Sequence, residues 1–161
     1  MSKHTNFRIG GPAKFFLEIK TIEEIKHVQR LSEKHDMPYL IFGGGSNMLV
    51  HDRGFKGIVG KIAMRNIQFQ GNRVRAEAGV LSAALARKTA EAGLAGFTWA
   101  ISLPGTIGGA VRGNAGCFGG ETRDRLVMAE VLRDGQILEL SNEDLEFAYR
   151  ESTIKIGRAH V

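Results

Sequence analysis

Apolar positions near the start of the chain change period twice within thirty residues. Residues 15–19 read FFLEI, a short apolar run that predicts a buried strand. From Ile22 the spacing becomes helical, with Ile22, Ile25, Val28 (or Gln29) and Leu31 on one face. Thr21 and Glu24 form a capping box at its start, and the helix is predicted to run to about His35. Pro38 blocks continuation, and residues 39–42 return to a strand pattern. Strand, helix and strand in this order predict a β-α-β unit, because parallel strands need a crossover. Gly43-Gly44-Gly45-Ser46-Asn47 follows the second strand at once. Residues 48–50 are apolar, and residues 57–61 are a further strand segment after a polar turn at 52–54.

The pattern then alternates. Residues 66–70 and 73–78 flank Gly71-Asn72, a two-residue hairpin signal. Residues 81–92 are alanine-rich and helical, closed by Gly93. Residues 127–133 and 136–140 form a second hairpin about Asp134-Gly135, and Ser141 and Asp144 are placed to cap a last short helix. Tyr149-Arg150 lies just beyond it. There is no internal repeat of 20–50 residues. The expectation is one α+β domain with two lobes, residues 1–62 and 63–155, and a seam near 62–66.

Composition sharpens this. The chain has 161 residues, 43% hydrophobic and 24% charged, normal for one globular domain. No apolar run approaches the ~18 residues a membrane span needs, and no signal peptide is visible. A single cysteine, Cys117, excludes an internal disulfide and suits a reducing cytoplasm. Net charge is +5, but the basic residues are scattered and do not interleave with aromatics, which argues against nucleic acid. A small anionic ligand accounts for the excess as well. The five histidines show no metal-ligand spacing, so no metal site is expected.

Glycine is the outlier, with 21 residues against a usual share of ~7%. Seven of them fall in residues 103–120, LPGTIGGAVRGNAGCFGG. Glycine inside an element costs roughly 0.5–1 kcal/mol relative to alanine, so such density implies turns or close approach to a ligand. Backbone N–H groups freed of Cβ can converge on phosphate oxygens, and Ser or Thr hydroxyls add donors. Two such segments in one domain, 43–47 and 104–116, point to a pyrophosphate ligand. Tight turns with close strand packing are the other reading of either segment. Neither a Walker loop nor the G-x-G-x-x-G fingerprint is present. Gly44 and Gly108 are the positions expected to resist alanine if either takes a positive φ.

At these motifs the sequence resembles the UDP-N-acetylenolpyruvoylglucosamine reductase family, flavoenzymes of bacterial peptidoglycan synthesis. The resemblance runs from His4 to about Lys155. It rests on His4-Thr-Asn-Phe-Arg-Ile-Gly-Gly-Pro-Ala13, Gly43-Gly-Gly-Ser-Asn47, Leu103-Pro-Gly-Thr-Ile-Gly-Gly-Ala110 with Gly113-Asn-Ala-Gly116, and Tyr149-Arg150-Glu-Ser152. It implies an α+β, two-lobed FAD-binding domain of the PCMH/vanillyl-alcohol-oxidase type, truncated before the substrate-binding domain. It also implies non-covalent FAD, NADPH as hydride donor and a nucleotide-sugar substrate, UDP-N-acetylglucosamine enolpyruvate. The residues it assigns to the cofactor are Gly43, Gly44, Gly45, Ser46, Asn47, Pro104, Gly105, Thr106, Gly108, Gly109, Asn114 and Gly116. Tyr149 and Arg150 are assigned to substrate, with Arg150 stabilising the developing enolate.

Two features depart from the family pattern. The family's serine proton donor and its glutamate lie beyond the Tyr-Arg motif, and eleven residues follow Arg150 here. Residues 156–161, IGRAHV, do not continue the pattern and read like a translated sequencing adapter, so a non-native tail is expected. The chain alone is therefore expected to be an inactive fragment. A flavin oxidase of the wider superfamily would be marked by a covalent histidine near the first glycine loop, which has none inside it. A nucleotide-binding module would bind nucleotide without a flavin spectrum.

Overall fold

The computed structural model describes residues 1–155; the expected non-native tail at 156–161 lies outside the described residues. The chain divides into two compact units, Met1–Met64 and a second beginning at Arg65.

The first unit holds a parallel sheet. β1 (Ala13–Ile19), α1 (Ile22–Lys34) and β2 (Tyr39–Phe42) follow the expected strand–helix–strand order. β1 and β2 are parallel but not neighbours. β3 (Phe55–Ile62) inserts between them, giving the order β1-β3-β2. Burial explains the choice, since residues 57–60 are buried in succession and both faces of a central parallel strand are covered. The capping box forms as expected: Glu24 N–H donates to Thr21 Oγ1 at 3.2 Å, and Thr21 N–H to Glu24 Oε2 at 3.3 Å. Ile25 and Val28 bury the inner face of α1, while Ile22 and Leu31 stay half-buried. Residues 48–50 form no strand.

His4 stacks on Phe16 with ring centroids 4.2 Å apart. Burial, then Lys61 and the terminal ammonium, push its pKa below 6.5, with Glu18 opposing. A depressed histidine pKa means the unfolded chain binds the proton more tightly. Stability should therefore be full above the unfolded value and fall as pH drops through 6.5 towards the folded value. Urea midpoints at neutral and mildly acidic pH should fall further for wild type than for His4→Gln. Equal slopes would remove His4 from the account.

Among the described residues the second unit is built from three hairpins and two α-helices. β4 (Ile67–Gln70) pairs with β5 (Arg73–Ala76), and β8 (Met128–Arg133) with β9 (Gln136–Ser141). The turn between β8 and β9 has φ 48° at Asp134 and 76° at Gly135, the paired positive values of a type I′ turn. α2 (Ser82–Glu91) ends with Leu94 N–H on Thr89 O at 2.9 Å, beyond Gly93. α3 (Ile107–Arg112) and the short hairpin β6 (Gly116–Cys117)–β7 (Gly120–Glu121) occupy the glycine-rich segment. The core joins Val111 of α3, Ala129 and Val131 of β8, Leu145 and Ile154.

The helix expected after Ser141 is absent. Its cap forms: Ser141 N–H donates to Asp144 Oδ2 at 2.8 Å, and Asp144 N–H to Ser141 Oγ at 3.2 Å. The Ser141 hydroxyl, donating to Asp144 Oδ2 at 2.7 Å, and then the Ser141 N–H hold the Asp144 carboxyl below its ordinary pKa. The turn then stops, with φ 42° at Glu146. Thr153 takes the carbonyls a helix would have used, with Oγ1 on Asp144 O and N–H on Leu145 O. Docking of the fully buried Leu145 and Ile154 wins over local helix propensity.

Candidate functional site

The first glycine loop leaves the end of β2 and is braced from behind by the opening motif. Asn6 N–H donates to Gly45 O at 3.1 Å. Thr5 Oγ1 donates to Ile9 O, Arg8 N–H to Thr5 O, and Gly11 N–H to His51 O. Gly45 is buried, with φ 66°, and a Cβ there would lie 2.1 Å from His4 O. Positive φ in this loop thus falls at Gly45 rather than Gly44, and in the next segment at Gly105 (107°) rather than Gly108. The strain argument for Gly44 and Gly108 lapses. What Gly43, Gly44, Gly45 and Asn47 share is a backbone N–H with no hydrogen-bond partner among the described residues. Such groups past the carboxyl end of a parallel strand suit the oxygens of a phosphate.

The second segment is more closely stitched. Gly105 O accepts from Ser82 N–H at 3.1 Å, and Thr106 pairs with Leu81. Ile107 N–H donates to Val80 O at 2.8 Å and Gly108 N–H to Ala78 O at 2.9 Å. The Gly108 N–H, one of those expected to face a ligand, is therefore committed to the 78–80 backbone together with that of Ile107. Gly109 is exposed, and a Cβ there would meet nothing closer than Thr106 Oγ1 at 3.7 Å. Pro104 is also exposed, and Thr106 is buried.

Asn114 and Gly116 turn inward. Asn114 is buried, with Nδ2 donating to Glu121 Oε2 and Ala148 O, and Oδ1 accepting from Arg123 N–H. A Cβ on Gly116 would lie 2.7 Å from Gly120 O, so the close approach of β7 requires this glycine. Tyr149 and Arg150 sit at the tip of a tight turn between Ala148 and Glu151. Both are exposed; Arg150 has φ 59°, its guanidinium lies 5.9 Å from the Tyr149 ring centroid, and Nη2 donates to Gly116 O at 3.2 Å.

Other candidates settle locally. The Ser152 hydroxyl is buried and donates to Arg112 O at 2.7 Å. Cys117 Sγ donates to Trp99 O at 3.1 Å. Arg123 pairs with Glu121 at 2.6 Å. No metal-binding cluster of His, Cys, Asp or Glu exists among the described residues. No helix among them is long and apolar enough to cross a membrane. The sequence reading missed Glu121, whose carboxylate meets Asn114 seven residues away, Ala148, whose partner Asn114 is 34 residues away, and α3, whose glycines disguise it.

A reductase of Alkaliphilus oremlandii, named UDP-N-acetylenolpyruvoylglucosamine reductase, is 44% identical over 158 residues, covering 96% of this chain and 52% of its own length. A protein of the same name from Rubrobacter xylanophilus is 40% identical at the same coverage. The chain thus spans about half the length of the curated relatives it matches. Among solved structures, UDP-N-acetylenolpyruvylglucosamine reductase from Thermus caldophilus superposes with a TM-score of 0.80 at 34% identity, over 94% of this chain and 54% of that one. The oxidase 6-hydroxy-D-nicotine oxidase from Arthrobacter nicotinovorans shares the fold alone, with a TM-score of 0.65 at 21% identity, over 83% of this chain and 31% of that one. The FAD binding domain family model matches residues 13–141. With both glycine loops inside that match, which takes in more than half of the chain, the chain belongs to the FAD binding domain family.

Proposed function

We propose that this chain is the FAD-binding portion of a cytoplasmic reductase of peptidoglycan synthesis, one that uses NADPH to reduce UDP-N-acetylglucosamine enolpyruvate to UDP-N-acetylmuramate. The observation that carries the cofactor reading is the group of N–H donors at Gly43, Gly44, Gly45 and Asn47 that have no hydrogen-bond partner among the described residues. These donors fit pyrophosphate oxygens, with the Ser46 hydroxyl in the same loop as a further candidate. When bound, FAD would supply two-electron storage, taking hydride from NADPH and giving it to the enolpyruvyl double bond.

Arg150 is the group assigned to the substrate. A guanidinium stays charged and can pair two carboxylate oxygens at once, so it can stabilise the negative charge that develops next to the enolpyruvyl carboxylate. Tyr149 flanks it. Ser152 does not serve as the acid, since its proton is held on Arg112 O. The chain alone is accordingly proposed not to turn over.

Substrate choice tests this reading. A complete reductase carrying this portion, mixed anaerobically with NADPH, should lose visible flavin absorbance. It should regain that absorbance when UDP-N-acetylglucosamine enolpyruvate follows. Acid precipitation should leave all flavin in the supernatant, because the loop offers no covalent anchor. Absorbance that returns with other reducible acceptors but not with the nucleotide sugar contradicts the substrate; flavin in the pellet contradicts non-covalent binding.

A further inference from the structure

Asn114 combines features that cofactor contact does not explain. It is 1% exposed and holds φ 39°, a left-handed conformation that asparagine tolerates better than most residues. Its Nδ2 donates to Glu121 Oε2 at 2.6 Å and to Ala148 O at 3.0 Å, and its Oδ1 accepts from Arg123 N–H at 3.1 Å. One planar amide therefore ties the end of α3, the 121–123 segment and residue 148 together. Ala148 is the base of the turn that presents Tyr149 and Arg150: Ala148 N–H donates to Glu151 O at 3.1 Å and Glu151 N–H to Ala148 O at 3.2 Å. From the tip of that turn, Arg150 Nη2 reaches Gly116 O at 3.2 Å. Both the base of the turn and its guanidinium are fixed to residues 114 and 116.

We infer that Asn114 is a positioning residue for Arg150, setting the turn so that the guanidinium meets the substrate carboxylate. The inference rests on the role proposed above for Arg150. The site needs two donors and an acceptor in one rigid group, which an amide supplies. Aspartate would offer acceptors only and would face Glu121 with like charge.

The test uses a complete, FAD-loaded reductase carrying this portion. Asn114→Ala removes every tie. The swap Asn114→Asp with Glu121→Gln restores a donor–acceptor pair between 114 and 121 and keeps the acceptor for Arg123 N–H, but loses the bond to Ala148 O. Each is measured by stopped flow, alone and with Arg150→Ala. The expected result for the swap is reduction of the enolpyruvyl substrate slowed about tenfold or more, as small misplacements of a binding group produce. Flavin reduction by NADPH should be unchanged. Neither Asn114 variant should slow the enolpyruvyl step further once Arg150 is alanine. Loss of FAD, equal slowing of both half-reactions, full additivity with Arg150→Ala, or wild-type rates in the swap would each overturn the inference. If Arg150→Ala itself leaves the enolpyruvyl step intact, the proposed function fails first, and that outcome is read separately.

Discussion

Arg150→Lys in a complete reductase slows reduction of the enolpyruvyl substrate by about a hundredfold and leaves flavin reduction by NADPH near its wild-type rate. The magnitude is that of removing one well-placed hydrogen-bond donor from a developing oxyanion, on the order of 10²–10³. Lysine keeps the charge and tolerates the exposed turn, but it cannot present a planar fork to two oxygens. It also gives up the fork geometry that joins Gly116 O to the turn. Stopped-flow measurement of each half-reaction separates the outcomes. Equal slowing of both would make Arg150 a structural residue.

Gly45→Ala destabilises the first unit by about 2–4 kcal/mol, the sum expected from backbone strain at positive φ and a forced shift of packed atoms. The Cβ would sit 2.1 Å from the His4 carbonyl oxygen, with Thr5 Cα at 3.2 Å, so backbone rather than a flexible side chain must yield. Gly109→Ala is the contrast. Its φ is not positive and its nearest neighbour would be 3.7 Å away. Within a helix, alanine is favoured over glycine by up to about 1 kcal/mol, so stability should hold or rise. If Gly109 lies against the cofactor, FAD affinity should fall in that stable variant. Urea midpoints for both and an FAD titration of the second decide it. A Gly45→Ala protein as stable as wild type would refute the brace formed by the opening motif.

These two glycines show where the sequence was legible. Strong local signals survived contact with the fold: Thr21 and Glu24 cap α1 reciprocally, and Asp134-Gly135 turns β8 into β9. Local signals that compete with packing did not. Ser141 and Asp144 make their cap, but Thr153 takes the next carbonyls and the helix never extends. Helix α3 was hidden because Gly108 and Gly109 lower its propensity, while Val80 and Ala78 carbonyls fix its first turn from outside. The insertion of β3 between β1 and β2 is a property of burial over the whole sheet, which no window of sequence reports. The motifs themselves were readable, but not the division of labour within them. The motif match does not report that Gly45, Asn114 and Gly116 also answer structural demands, from His4, Ala148 and Gly120.

The most direct measurement follows the backbone amide resonances of the isotopically labelled protein as FAD is added. The account predicts saturable shifts concentrated at Gly43, Gly44, Gly45 and Asn47, with ADP, which carries the pyrophosphate, moving the same resonances and riboflavin failing to. FAD binding that leaves those four amides in place, or no saturable binding by the complete reductase, would contradict it.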